Sequence, residues 1–181
     1  WVTYNRIKDL TPLRGLTHLS DLALAGNPVE DLSPLAEIAS LERLNLGGIP
    51  ARNFDALKGL TNLKGLLISR MMVTDLGFVS AMVQLESLTA SDNEIESLEP
   101  LRNLPKLFEL NLDGNRISDL SPLSGLKDVW WLDLSNNQIS SIEGFPGLRK
   151  VAKVELFENQ IVDISPLVKA CGYTGTIEIE L

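Results

Sequence analysis

The segment LFELNLDGNRISDLSPL, residues 107–123, decides the fold. Leu110 and Leu112 alternate with Asn111 and Asp113, the two-residue period of a short strand with one buried face. Asn115 follows, then Ile117, then Asp119-Leu-Ser-Pro-Leu123. Stepping outward by 22 residues finds the same arrangement again. From Leu19 the first column runs through Leu41, Leu63, Leu85, Leu107, Val129 and Val151. The fourth holds Leu22, Leu44, Leu66, Leu88, Leu110, Leu132 and Val154, and the sixth holds Val2, Leu24, Leu46, Ile68, Ala90, Leu112, Leu134 and Leu156. The ninth is Asn5, Asn27, Ile49, Met71, Asn93, Asn115, Asn137 and Asn159. No insertion or deletion breaks the register from 19 to 172, so seven full repeats follow a partial one at 1–18.

The columns spell L-x-x-L-x-L-x-x-N-x-I, the leucine-rich-repeat pattern. They predict an α/β repeat solenoid, a leucine-rich-repeat horseshoe with a concave parallel β-sheet and convex short 3₁₀ or α turns. Where the chain leaves each strand, inward-facing backbone groups lose their ladder partners. A buried Asn can donate and accept at once, so the ninth column reads as scaffold. Ile49 and Met71 cannot do this, and locally irregular turns are expected in the second and third full repeats. On the same ground, Asn115→Leu is expected to destabilise the fold.

The thirteenth column, Asp9, Asp31, Asn53, Asp75, Ser97, Asp119, Ser141 and Asp163, consists of preferred N-cap residues. The sixteenth carries Pro12, Pro34, Pro100, Pro122 and Pro166, tolerated in a first helical turn where the N–H has no partner anyway. Ala56, Phe78 and Gly144 depart from it. Residues 173–181 leave the register. Gly172 and Gly175 suggest a turn, and Ile177, Ile179 and Leu181 alternate with Glu178 and Glu180. This predicts one more strand, shifted by about one residue, as the start of a further repeat or a C-terminal cap.

Asp31-Leu-Ser-Pro-Leu35, Asp119-Leu-Ser-Pro-Leu123 and Asp163-Ile-Ser-Pro-Leu167 resemble the D-I-S-P-L segment of internalin-type repeats, a 22-residue subclass similar to SDS22-like repeats. The resemblance covers about residues 1–172, the expected solenoid domain. It implies a bacterial surface or secreted protein that binds a host protein on its concave face. SDS22-like proteins, by contrast, are intracellular regulators that bind a phosphatase; D-L-S-P-L matches internalins better. The matching residues are scaffold and do not name the ligand.

Bulk properties narrow the partner. Lys plus Arg is 16 and Asp plus Glu 24, a net charge of −8, which does not suit a phosphate backbone, so nucleic acid is not expected. No apolar run is long enough to span a bilayer. Cys171 is the one cysteine, so no internal disulfide can form, and no Asn-x-Ser/Thr sequon occurs. Both fit a bacterial surface protein or an intracellular one better than a secreted eukaryotic repeat domain. Trp1 falls inside a repeat, so the chain is expected to be part of a longer protein whose targeting segments lie elsewhere.

The third, fifth, seventh and eighth positions of each repeat are expected to face outward on the concave surface. In the first four repeats they are small or mildly polar. In the last three, Trp131, Phe157, Glu109, Asn111, Asp113, Asp133, Glu155 and Lys153 are expected to lie within a few strand spacings. Exposed aromatics ringed by charge are the composition of a protein-binding hot spot, and the acidic members favour a partner with a basic patch. The same residues also have a plainer reading: acidic groups keep a solvated sheet soluble, and an outward Trp can lie flat on its neighbours. Trp130 is expected to be half-buried at the strand edge. Met71 and Met72 are expected to fill core around a distorted turn, an exposed soft contact surface being the alternative.

Other chemistry finds less support. Asp113, Asp133 and Glu155 are oxygen ligands on neighbouring strands, but no Gly-turned loop wraps an ion, so no metal or cofactor is expected. His18, the only histidine, falls in a return loop, and Cys171 reads as a small apolar filler. There is no P-loop, dinucleotide fingerprint or H-E-x-x-H motif, and no pocket is foreseen that would raise a carboxyl pKa for acid catalysis. The reading is a non-catalytic, monomeric protein-binding module. An SDS22-like adaptor, a structural spacer presenting another domain, and a glycan ligand stay open as alternatives.

Overall fold

The computed structural model describes residues 1–143 and 152–166, and the backbone of 178–180. Three-residue strands recur once per repeat: β1 Asp21–Ala23, β2 Arg43–Asn45, β3 Gly65–Leu67, β4 Ser87–Thr89, β5 Glu109–Asn111, β6 Trp131–Asp133 and β7 Lys153–Glu155, with β8 at Glu178–Glu180. They form one parallel sheet in sequence order. From β1 to β7 each residue pairs with the one 22 positions on, as in Leu88↔Leu110↔Leu132. Val2 and Tyr4 extend the ladder through N–H bonds to Ala23 and Ala25, so the partial repeat covers the first edge. From Leu22 and Leu24 onward the fourth- and sixth-column side chains point inward and form a continuous core, while Val2 at the open edge is exposed.

The convex side carries 3₁₀ turns: η1 Thr11–Leu13, η2 Ser33–Glu37, η3 Phe54–Leu57, η4 Gly77–Val79, η5 Glu99–Leu101 and η6 Ser121–Gly125. The predicted N-caps act one residue earlier than expected. The residue flanking most of these turns is a leucine with no side-chain cap, such as Leu32 or Leu120, because that side chain is committed to the core. The polar residue before it accepts the N–H two positions on, as in Ser33→Asp31 at 2.9 Å and Ser121→Asp119 at 2.8 Å. An orphan donor is thus satisfied by an Asx-type turn instead of a cap. Asn53 departs again: its Oδ1 accepts the Leu32 N–H and its Nδ2 donates to Asp31, tying two repeats together.

From Asn27 onward the Asn column behaves as predicted, while exposed Asn5 only donates to the Val2 and Thr3 carbonyls. Asn115 Nδ2 donates to the carbonyls of Ala90 and Leu112, while its Oδ1 accepts from Ile95 N–H at 3.0 Å. Asn27, Asn93, Asn137 and Asn159 repeat the pattern. Only one of the two irregular turns expected is found. At Ile49 the turn keeps the ordinary form, with Gly48 left-handed at φ +71°. At Met71 the next residue, Met72, also enters the left-handed region at φ +51°, and both Met71 and Val73 N–H groups converge on Asn93 Oδ1. Met71 fills core, as expected, whereas Met72 is exposed.

The eighth column turns out to be a backbone requirement. Tyr4, Gly26, Gly48, Arg70, Asp92, Gly114, Asn136 and Glu158 all have positive φ, with Gly, Asn or Asp at most of them. The tail strand is displaced further than predicted. β8 pairs Val154 with Ile179, a step of 25 residues, so three extra residues, and not about one, precede it. Gly144, Val151, Leu167, Cys171, the Gly172–Gly175 turn, Ile177 and Leu181 lie outside the described residues.

Candidate functional site

The ladder places the predicted site residues in rows across the last three described 22-residue repeats. Glu109, Trp131 and Lys153 are register partners, as are Asn111, Asp133 and Glu155. The structure joins them into two bonded groups. Trp131 reaches diagonally to β7, where its Nε1 donates to Glu155 Oε1 at 3.0 Å, and Lys153 Nζ meets the same carboxylate at 3.1 Å. The indole N–H, and then the ammonium, hold the Glu155 carboxyl below the usual carboxylate range. Asn111 Nδ2 donates to Asp133 Oδ2 at 3.2 Å, and Ser135 N–H to Asp133 Oδ1 at 3.1 Å.

Glu109 and Phe157 are half-buried neighbours of these groups. Asp113 is bonded from outside the predicted set, by Asn136 Nδ2 at 2.8 Å. Trp130 is exposed at the strand margin and not half-buried.

Asp133 departs most from expectation. It is not a solvated surface carboxylate: only 7% of its surface is exposed. Burial pushes its pKa up, the Ser135 N–H partly opposes this, and the negative charges of Glu155 and Asp113 add to the rise. A carboxyl with a raised pKa is therefore present after all, on an open sheet and not in an enclosed pocket.

The scaffold does not need that charge. Asn45 and Asn111, in the same column, accept the N–H two residues on with a neutral amide, at 3.1 Å in each case. Because folding raises this pKa, the folded chain holds the proton more tightly than the unfolded chain. The penalty is absent below the ordinary value of 3.8 and is fully present once pH exceeds the folded pKa. Asp133→Asn removes this charge while setting an amide N–H₂ against Asn111 Nδ2, so its melting temperature relative to the wild type is expected to be higher at pH 7 than below pH 3.8. Thermal melts at both pH values check this, and a difference that does not change with pH would refute the electrostatic cause.

Several surface features had no forecast. The outward face of β1–β4 is hollowed, not flat, around Leu67, which is 38% exposed. On the convex side, stacked Phe54 and Phe78 (centroids 5.4 Å apart) and exposed Met72 border a hollow of about 580 Å³. The signal for the second is in the sequence, because Phe78 breaks the Pro column and Met71, beside Met72, breaks the Asn column. Among the described residues no three His, Cys, Asp or Glu side chains are grouped to hold a metal ion, and no helix is long and apolar enough to cross a membrane.

Comparison with known proteins agrees with this geometry. Family models described as leucine-rich repeats match residues 83–125 and 129–148. No curated protein matches the sequence. Among solved structures, internalin C2 of Listeria monocytogenes superposes with a TM-score of 0.81 at 34% identity, over 86% of this chain and 69% of that one. An internalin (inlF) of the same organism gives 0.81 at 27% identity over 97% of this chain, which spans 58% of its length. A leucine-rich-repeat protein of Leptospira interrogans shares the fold, with a TM-score of 0.78 at 24% identity, over 98% of this chain and 53% of that one. With the 22-residue repeat, the D-L-S-P-L turns and this degree of identity to internalin C2 in hand, the chain belongs to the internalin family of leucine-rich-repeat proteins.

Proposed function

We propose that this chain is a non-catalytic binding module of a bacterial surface or secreted protein, and that it holds a host protein on its concave face. Trp131 and Phe157 anchor the partner, while Glu109, Asp113, Asp133 and Glu155 select one with a basic patch; Asn111 and Lys153 complete the contact. Asp133 carries the proposal. A carboxylate held out of water where a neutral amide makes the same scaffold bond twice over costs stability, and a cationic partner group would offset that cost on binding. Family membership supports the protein-binding role, since leucine-rich-repeat solenoids present extended concave binding surfaces.

The test is a comparative pull-down from host-cell surface extract, with the wild type and a folded Trp131→Ser, Phe157→Ser double variant as baits. A protein retained by the first and lost by the second supports the reading. Equal retention by both, or by neither, rejects this face as the site.

A further inference from the structure

The concave face changes chemistry along its length. Fifth-position residues form one line across the strands: Ala23, Asn45, Leu67, Thr89, Asn111, Asp133, Glu155. At the β1–β4 end, two adjoining hollows of about 350 and 340 Å³ share Asn45 and Leu67 as walls. They exist because Gly65 and Gly47 place no side chain on this face, where other repeats carry Trp131 or Asp113. The charges bordering them are paired: Arg43 with Asp21, and Arg70 with Asp92 at 3.0 Å. At the β5–β7 end the balance is negative, with Glu109, Asp113, Asp133 and Glu155 against Lys153. One end therefore offers a recess of balanced charge that is apolar around Leu67, and the other an acidic surface.

We infer that the partner lays an extended polypeptide segment across these strands, seating a bulky apolar side chain on Leu67 and a basic side chain over Asp133 about four residues along. This rests on the concave-face reading and specifies its partner. The spacing follows from the ladder. Leu67 on β3 and Asp133 on β6 are separated by three strand intervals of about 4.8 Å, roughly 14 Å in all, and an extended chain advances about 3.3 Å per residue. Charge complementarity fixes which end takes which residue, because a cation gains nothing beside the paired Arg43 and Arg70 and relieves Asp133. A buried apolar anchor with a charged contact beside it is how such interfaces concentrate their energy.

The probe is a displayed library of short random peptides, selected on the 181-residue chain and on its Leu67→Ser and Asp133→Asn variants, each checked for folding by circular dichroism. The wild type should enrich sequences with a large apolar residue and a Lys or Arg about four positions apart. Leu67→Ser should remove the apolar preference and Asp133→Asn the basic one, each weakening the synthesised winning peptide about tenfold or more. Enrichment without a fixed spacing, or a spacing that survives both variants, overturns the inference. So does a dimer seen by light scattering that Leu67→Ser abolishes, since a second copy would then occupy the recess. If the pull-down succeeds while the library shows no spacing, this inference fails and the concave-face reading stands; if both fail, the reading itself falls.

Discussion

Asn93→Leu is expected to be among the most destabilising single substitutions in this chain, lowering the unfolding free energy by about 3 kcal/mol or more. Asn93 Oδ1 accepts two buried N–H groups, those of Met71 and Val73, both at 3.0 Å. Its Nδ2 donates to the carbonyls of Ile68 and Ala90 at 2.9 and 3.0 Å. Leucine is close in size, so no large cavity forms; what is lost is the partner of each group, at about 1–3 kcal/mol for every one left unsatisfied. Asn115→Leu orphans one backbone N–H, that of Ile95, and is expected to cost less, about 1–3 kcal/mol. Urea unfolding of the two variants checks both the size and the order, read as a lower midpoint at unchanged slope. An unchanged midpoint for either, or Asn115→Leu costing more than Asn93→Leu, would contradict the account of this column.

The second large effect concerns binding. Against a partner recovered by the pull-down, Trp131→Ser combined with Phe157→Ser is expected to reduce affinity about 100-fold or more, the loss expected when hot-spot aromatics are truncated. The same substitutions should change stability by only about 0.5 kcal/mol, because both residues lie outside the inward-facing columns. The two positions differ in kind. Trp131 is fixed by its bond to Glu155, so its contact is organised before the partner arrives and needs little ordering on binding. Glu155→Ala should therefore weaken binding by releasing the indole as well as by removing charge. Titration calorimetry measures these losses. A drop of less than about tenfold for the double variant would place the aromatics at the rim. Higher salt is expected to slow association more than it speeds dissociation, since the acidic residues act mainly on encounter.

Much of the fold was legible because a repeat checks its own alignment. Each buried position is sampled once per 22 residues, and a column of leucines or asparagines carries its own structural reason. The misses share a cause. The thirteenth column is polar and helix-starting, but its offset of one residue depends on the following leucine being drawn into the core. The eighth column reads from its side chains as outward-facing, although its shared property is a left-handed backbone that Tyr4, Arg70 and Glu158 also adopt. The three extra residues before β8 could not be counted where the pattern itself ends.

The candidate site divides in the same way. That Trp131, Asp133, Glu155 and their neighbours share one face follows from strand alternation and the 22-residue period, which are properties of local sequence. Which of them are bonded, buried or free to meet a partner depends on the diagonal reach of Trp131 and on the polar groups that close over Asp133. The recess around Leu67 likewise forms where Gly65, two residues away on the same strand, and Gly47, in the preceding repeat, together leave the face without side chains. Periodic burial and backbone hydrogen bonding act within every repeat, so the solenoid, its register and the residues on each face are already readable in the chain. Which carboxylate loses its water and where the sheet is hollow depend on desolvation and shape, and these arise between repeats once they stack.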